Sequence, residues 1–216
     1  MDEKTYFIAF EGIDGCGKDT QLQKLIPILK EDDGVPFGDK FSNIWLTREP
    51  TRFTEAGREI LQAIRERDVS AQEAATLFVG DRIEHSQIIR DVLKHSHVLT
   101  SRYDLSTLAY QMTQGMSFDE LYDMHKYGDE GCLIPDLTIV FDLPVDTALE
   151  RMSGRDSQVE IYENKEFMDK LYEKLDFCIN ELRERDGRKI LVVDASKSVE
   201  EVTEEMVKGI SEILNE

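Results

Sequence analysis

The stretch FEGIDGCGKDTQ, residues 10–21, decides the fold. It contains the spacing G-x-x-x-x-G-K, ending at Lys18, which is typical of a phosphate-binding loop. The apolar run TYFIAF (5–10) precedes the loop and is expected to be a buried strand, and residues 18–30 follow it with helical spacing of leucine and isoleucine. A loop between a strand and a helix turns its N–H groups toward phosphate oxygens. The stretch therefore predicts a nucleotide site, with Lys18 on the terminal phosphates.

The position after Lys18 departs from this pattern. A hydroxyl usually stands there to hold the magnesium of a nucleotide, but this chain has Asp19, and Thr20 comes one place late. Two explanations stay open. Asp19 contributes a carboxylate to the metal, or Thr20 serves the metal while Asp19 stabilises the helix N-terminus.

Composition indicates one soluble domain, residues 1–216, because the chain is long enough for a substantial core and contains no apolar run of membrane-spanning length. The acidic N-terminus does not suit a secretory signal. Cys16, Cys132 and Cys178 lack metal-ligand spacing and are odd in number, so we expect free thiols in a reducing cytoplasm.

The formal net charge of -19 argues against a nucleic-acid partner. It fits either a salty habitat or a need for solubility. A phosphate ligand would also be repelled, unless cations are concentrated in one pocket.

The rest of the chain alternates strands and helices. Strands are predicted at 43–47, 97–101, 137–143 and 189–195, and helices at 55–66, 71–94, 104–113, 117–127, 145–153, 164–185 and from residue 199. Nearly continuous apolar strands between helices predict an α/β fold, with a five-stranded parallel sheet covered by helices on both faces. Ligands of such sheets bind at the carboxyl ends of the strands.

Further motifs fall at those ends. They are TREP (47–50), LFVGDRIEH (77–85), SRYDLSTLAYQ (101–111), PDLTIVFDLP (135–144), ALERMSGR (148–155) and VDAS (193–196). With the glycine loop, in this order, the chain resembles the thymidylate kinases, which are nucleoside monophosphate kinases with a phosphate loop. The resemblance implies a P-loop kinase fold and transfer of the terminal phosphate of ATP to dTMP, giving dTDP and ADP for dTTP synthesis. It also implies Mg²⁺ and a homodimer that meets through the helices at 55–66 and 71–94, while the lack of a membrane-spanning apolar run predicts no membrane partner.

Phe78 and Arg82 stand four residues apart and project from one face of a predicted helix. A ring beside a fork of donors suits a flat base with an acceptor on its edge. The resemblance implies that Phe78 stacks on thymine and that Arg82 bonds its carbonyl at position 4, which would reject cytosine. Core packing is the alternative for Phe78, but Asp81, Arg82 and His85 interrupt the apolar stripe, which favours a pocket wall.

Arginines supply the local positive charge. Arg102 follows the third strand, and Arg48 and Arg52 follow the neighbouring one. The planar guanidinium binds phosphate in bidentate fashion. The resemblance places Arg102 on the acceptor phosphate, and Arg48 and Arg52 lie near enough to complete a positive site for it. Any one of the three could be a surface ion pair, but three guanidiniums from two adjacent loops favour the phosphate site.

The remaining roles follow from the resemblance. Asp14 would bind the 3′-hydroxyl of the sugar, Thr107 and Gln111 would line the base pocket, and Tyr162 would crowd out a 2′-hydroxyl. Helix-surface positions are the alternative for these last three. The ATP-binding residues are expected to be Gly12, Ile13, Asp14, Gly15, Cys16, Gly17, Lys18, Asp19, Thr20 and Arg151.

A polar stretch at about 152–163 has the composition of a mobile lid. An acceptor phosphate is already anionic, so catalysis needs positioning and charge neutralisation rather than a base. The expected catalytic residues are Lys18, Arg102 and Arg155 of the lid, with Arg151 on adenine or a phosphate. Glu160-Ile161 replaces an Asp-Arg pair common in the family, which leaves Arg155 with fewer helpers and is compatible with slower turnover.

A second departure accompanies Asp19. The family has aspartate before the arginine of the third strand, where it supports magnesium, and this chain has Ser101. We therefore hypothesise an exchange, in which Asp19 supplies the carboxylate and Ser101 the hydroxyl. Two other functions stay open: a kinase of different or broader deoxynucleoside monophosphate range, and a nucleotide-binding protein without catalysis.

Overall fold

The computed structural model describes residues 4–30, 43–66, 69–153 and 165–214. Arg155 and Tyr162, and almost all of the predicted lid, lie outside these residues. The described residues include the glycine loop and the segments around the predicted base pocket.

Five strands and eight helices alternate along the described chain. The strands are β1 (Phe7–Glu11), β2 (Ile44–Arg48), β3 (His97–Ser101), β4 (Leu137–Asp142) and β5 (Ile190–Asp194). The helices are α1 (Lys18–Lys30), α2 (Glu55–Glu66), α3 (Ala71–Val92), α4 (Asp104–Thr113), α5 (Phe118–His125), α6 (Val145–Ser153), α7 (Lys165–Asp186) and α8 (Val199–Leu214). Their bounds differ from the predicted ones by a few residues at most; α5, for example, stops at His125 because Lys126 adopts a left-handed conformation.

The strands form one parallel sheet in the order β2-β3-β1-β4-β5. Successive residues of β1 enter two separate apolar clusters, with Ile8 and Phe10 in one and Phe7 and Ala9 in the other. Neighbouring side chains of a strand point to opposite faces, so both faces of the sheet are covered. The predicted α/β fold with a five-stranded parallel sheet is confirmed.

The central strand β1 ends beside both of its neighbours. Phe10 is in register with Ser101 of β3, and Glu11 with Val140 of β4. The chain order reverses at this strand, and ligands of open parallel sheets bind outside the carboxyl ends at such a point. The glycine loop and Arg102 both emerge there.

Candidate active site

The glycine loop has backbone geometry that side chains would prevent. Gly12 and Gly15 have φ of +142° and +82°, where residues with a Cβ are strained. An added Cβ would lie 2.9 Å from the Phe141 carbonyl oxygen at Gly12 and 2.7 Å from the Ala148 carbonyl oxygen at Gly15. The loop can therefore pack closely on β4 and α6 while α1 begins directly at Lys18.

The side chains of Asp14, within the loop, and Lys18, at the start of α1, lie close together. Lys18 Nζ is 3.9 Å from Asp14 Oδ1 and its side chain is only 9% exposed. Burial lowers the pKa of Lys18, and the nearby Arg102 lowers it further. Burial raises the pKa of Asp14, but Arg102 and Lys18 outweigh it and hold that pKa at about 2. An anionic ligand would relieve this concentration of buried positive charge.

Arg102 stands at the carboxyl end of β3 in a left-handed backbone conformation, with φ of +67°. Its N–H donates to the Phe10 carbonyl at 2.9 Å, which fixes this turn against β1. Its guanidinium donates to Asp14 and, at 3.1 Å, to Ser106 Oγ. The Tyr110 hydroxyl also donates to Asp14, at 3.0 Å. Ser106 and Tyr110 thus hold the Arg102–Asp14 pair from α4.

A cavity of about 290 Å³ opens beside this pair. It is lined by Asp14, Arg48, Glu49, Pro50, Leu61, Ile64, Phe78, Arg82, Arg102, Tyr103, Ser106, Thr107, Tyr110 and Gln111. The lining includes every described residue predicted to bind dTMP except Arg52. Gln111 is 1% exposed, and its Oε1 has no hydrogen-bond partner among the described residues, as expected of a group that receives a ligand.

Arg82 is buried at the wall of this cavity, 1% exposed. Nη2 lies 2.6 Å from Glu49 Oε2 and donates to the Tyr103 carbonyl and to Thr107 Oγ1, and Nη1 lies 2.8 Å from His125 Nε2. Nε has no partner among the described residues. The guanidinium is therefore fixed by protein groups and keeps one unfilled buried donor.

The residues Glu49, Asp81 and His85 form a polar support that sequence analysis did not predict. Asp81 accepts hydrogen bonds from Thr51 N, Thr51 Oγ1 and Thr54 Oγ1, at 2.5–2.7 Å. His85 bonds Glu49 Oε1 at 2.8 Å. Asp81 and His85 thus interrupt the stripe of α3 because they anchor the segment after β2. Arg82 lines the cavity, as expected, whereas these two neighbours do not.

Asp19 and Ser101 lie in contact. Ser101 Oγ donates to Asp19 Oδ1 at 2.7 Å, and both residues line a second cavity of about 550 Å³ next to the first. Arg48 lines both cavities, while Arg52 lines only the second. Thr20 faces a different cavity from Asp19. The two departures found in the sequence are therefore brought together, and Thr20 is separate from them.

That third cavity, of about 350 Å³, runs from the glycine loop toward the segment after β5. Gly15, Gly17 and Thr20 line one end, and Arg151, Ala195 and Lys197 the other. Arg151 Nη2 donates to the Ala195 carbonyl at 3.1 Å. Arg151, which was predicted to bind ATP, therefore lines the same cavity as the glycine loop, at the end away from Gly15 and Gly17.

No cluster of three or more histidine, cysteine or acidic side chains able to hold a metal occurs within residues 4–30, 43–66, 69–153 and 165–214. A cation at Asp19 would need further oxygens from a ligand.

Among the described residues no helix combines the length and the apolar character required to cross a bilayer.

Fold and site together define a phosphate-loop protein with a cavity beside the loop that is lined by Phe78 and three arginines. A family model described as thymidylate kinase matches residues 10–206. The chain belongs to the thymidylate kinase family, which confirms the predicted family.

Individual relatives agree with the family model. A probable thymidylate kinase of Methanococcus aeolicus is 36% identical over 205 residues, covering 94% of this chain and 95% of its own. A probable thymidylate kinase of Pyrococcus abyssi is 34% identical, with 94% of each chain covered. A thymidylate kinase of Symbiobacterium thermophilum is 34% identical, covering 96% of this chain and 94% of its own.

Proposed function

We propose that this protein transfers the terminal phosphate of ATP to dTMP, giving dTDP and ADP for dTTP synthesis. Membership of the thymidylate kinase family supports this activity. The observation that carries it in this chain is the cavity that joins Phe78 and Arg82 to Arg102 and Arg48 at the edge of the glycine loop. A base at one end of that cavity would direct a 5′-phosphate toward the other.

The acceptor site divides into three parts. Phe78 supplies the ring face for thymine, and Arg82 supplies its unfilled Nε–H donor for the carbonyl at position 4, with Thr107 and Gln111 beside them. Asp14 binds the sugar 3′-hydroxyl. Arg102 and Arg48 bind the acceptor phosphate, whereas Arg52 reaches it from the neighbouring cavity. Tyr162, which lies outside the described residues, is proposed to exclude a sugar that carries a 2′-hydroxyl.

The donor site follows from the loop. The triphosphate of ATP lies along the N–H groups of residues 12–20 at the N-terminus of α1, with Lys18 on its terminal phosphates. Arg151 and the segment at Ala195 border the continuation of this site, which suits adenine. The two nucleotides then approach each other at Lys18 and Arg102.

The residues present fit Mg²⁺. Asp19 is exposed, and its carboxylate and the Ser101 hydroxyl are hard oxygen donors on one side of the loop. Mg²⁺ is commonly held by one or two carboxylates with substrate phosphates and water completing its coordination. When bound, it neutralises charge on the phosphates. The direct contact between Asp19 and Ser101 supports the exchange of roles over the alternative in which Thr20 serves the metal.

Transfer needs no general base. An anionic oxygen of the dTMP phosphate attacks the terminal phosphorus of ATP, and the bond from that phosphorus to the bridging oxygen of ADP breaks. Lys18 and Arg102 hold the two phosphates in line and offset their charge. Arg155 of the lid completes this positive environment.

A homodimer and a cytoplasmic location belong to the proposal. The outer faces of α2 and α3 are the proposed contact, and Ile88 on α3, 38% exposed, supports it. Sedimentation of the purified chain tests the dimer.

ADP formation measured with dTMP, dUMP, dCMP, dGMP and no acceptor tests the activity. We expect rapid ADP release with dTMP and a much lower rate with dCMP, because cytosine presents an amino group to Arg82. Equal or faster turnover of another monophosphate would indicate the broader kinase. Nucleotide binding without ADP release for any of the acceptors would reject the kinase in favour of a protein that only binds nucleotides.

A further inference from the structure

His125 occupies an unusual position for a histidine outside the predicted site. It is the last residue of α5, is 0% exposed, and contacts Nη1 of Arg82, whereas Glu49 lies at Nη2. Nη2 of Arg82 is already engaged by Glu49, the Tyr103 carbonyl and Thr107. Among the described residues, His125 is the partner that holds Nη1.

The hydrogen bonds of His125 define its tautomer. Nδ1 lies 2.6 Å from the Leu121 carbonyl oxygen, so Nδ1 carries the proton. Nε2 is then a lone-pair acceptor, 2.8 Å from Arg82 Nη1. A doubly protonated ring would instead place a second cation against Arg82. Burial lowers the pKa of His125 to about 3, and Arg82 contributes in the same direction, so the ring is neutral at ordinary pH.

A second layer of side chains holds the imidazole in this orientation. Its ring stacks on Tyr127, with centroids 5.2 Å apart and planes 8° from parallel. The Tyr127 hydroxyl donates to Asp104 Oδ2 at 2.8 Å, and Arg188 Nη1 donates to the same oxygen at 2.8 Å. These groups are all buried or half-buried, so the imidazole has little freedom to turn away from Arg82.

We propose that His125 is a positioning residue for Arg82, and through it a determinant of the preference for thymine over cytosine. This inference rests on the proposed function, in which Arg82 meets the base. The Glu49 carboxylate forms an ion pair with Nη2, and His125 supplies a neutral acceptor for Nη1. Removal of the neutral acceptor leaves Nη1 unpaired, and the guanidinium can then rotate toward Glu49, away from the orientation that serves the base.

Three variants separate this role from general packing. His125→Phe keeps a stacking ring and removes the acceptor, and His125→Gln restores an acceptor oxygen of similar reach. Tyr127→Phe is the matched control, because it removes a buried hydrogen bond of the same cluster and keeps the ring that stacks on His125, so the His125–Arg82 contact stays in place. KM for dTMP, KM for ATP, kcat and the ratio of kcat/KM for dTMP over dCMP are measured for each, together with thermal unfolding.

We expect His125→Phe to raise KM for dTMP about tenfold and to lower the dTMP preference by a similar factor, as for loss of one charged hydrogen bond. KM for ATP and kcat should stay within about twofold of wild type, since uniform binding to the acceptor is what is lost. His125→Gln should recover most of the preference. An unchanged preference in folded His125→Phe, or an equal loss in Tyr127→Phe, would overturn the proposal.

A measurement on the unmodified protein covers the case in which His125→Phe does not fold. The ¹⁵N NMR spectrum of the histidine rings, assigned with His125→Gln, should show Nδ1 protonated and Nε2 unprotonated across pH 5.5–8. A proton on Nε2 would exclude acceptance from Arg82 and refute the inference. Wild-type protein that turns over dTMP no faster than other monophosphates would instead refute the proposed function, and the ring spectrum would still report on His125.

Discussion

Ser101 Oγ donates a hydrogen bond of 2.7 Å to Asp19 Oδ1, although 82 positions separate the two residues in sequence. These are the two positions that the proposed exchange assigns to the metal, with a carboxylate at Asp19 and a hydroxyl at Ser101. Their contact means that a cation beside one would lie beside the other, as the exchange requires.

The first prediction concerns this pair. Asp19→Ser should weaken the binding of Mg²⁺ about 10–100-fold. This is the usual loss of metal affinity when a side chain that supports a metal site is replaced. Adding Ser101→Asp should restore most of the affinity, since the carboxylate returns on the facing strand. Electron paramagnetic resonance of free Mn²⁺ in the presence of ATP measures the affinity without relying on turnover.

Thr20→Val is the matched control for this cycle, because Thr20 faces the other cavity. It should leave Mn²⁺ affinity close to that of wild type. A double variant no better than Asp19→Ser alone, or a larger loss in Thr20→Val than in Asp19→Ser, would show that the exchange is wrong.

The second prediction concerns the planar guanidinium group of Arg102. Arg102→Lys keeps the charge and loses the planar pair of donors, so kcat/KM for dTMP should fall about 100-fold, as expected when a bidentate contact is lost at a site where positioning matters. KM for ATP should change little. Steady-state kinetics in both substrates measures this, and a loss below fivefold would exclude a bidentate role for Arg102.

The third prediction concerns the support of the segment after β2. Asp81→Asn replaces an acceptor of three hydrogen bonds by a group that also donates, and should lower the free energy of unfolding by about 2–3 kcal/mol. The corresponding fall in Tm is about 5–10 °C for a chain of this size. Glu84→Gln, at an exposed position of the same helix, is the control. Calorimetry that gave both variants the same Tm would contradict the assigned role of Asp81.

The fourth prediction concerns pH. Burial lowers the pKa of His97 to about 4 and that of His125 to about 3, below the unfolded value near 6.5. The folded state then binds fewer protons than the unfolded state, so stability is complete above about pH 6.5 and is lost as pH falls. Each histidine should contribute a slope of up to about 1.4 kcal/mol per pH unit between pH 6 and 5.

Urea unfolding at several pH values gives the free energy of unfolding at each pH, and the slope of wild type is compared with that of a variant. The variant His97→Gln with His125→Gln should lose less stability than wild type between pH 6.5 and 5. Replacement of the exposed His95 is the control and should leave the slope as in wild type. Asp14 and Asp104, with pKa values of about 2, lose their contribution only below about pH 4 and do not disturb this window. Parallel curves for wild type and the double variant would contradict the prediction.

Local pattern is enough to predict the elements of this fold. The apolar run of β1, the glycines after it and the periodic leucines of α1 are adjacent in sequence, and each agrees with the parallel sheet. Chemistry at strand ends predicts part of this cavity, because parallel strands present their carboxyl ends at one edge. Arg48 at the end of β2 and Arg102 just after β3 meet there for that reason, whereas Phe78 lines the same cavity from α3.

The buried partners of these residues are not predictable in the same way. Glu49 contacts Nη2 of Arg82 and His125 contacts Nη1, across sequence separations that only the completed fold determines. Glu11 likewise accepts from Tyr103 N and Ser106 N at the start of α4. The available signal was a charged or polar residue inside an apolar stripe, as at Asp81, and it does not reveal whether the side chain faces a ligand or another part of the chain.

A structure of the protein with dTMP and a non-hydrolysable ATP analogue tests the central claim most directly. We predict that the thymine ring lies against Phe78 with its carbonyl at position 4 on Arg82, and that the 5′-phosphate points to Arg102. Thymine bound elsewhere, or this cavity closed by the protein's own side chains while the glycine loop holds the triphosphate, would contradict it.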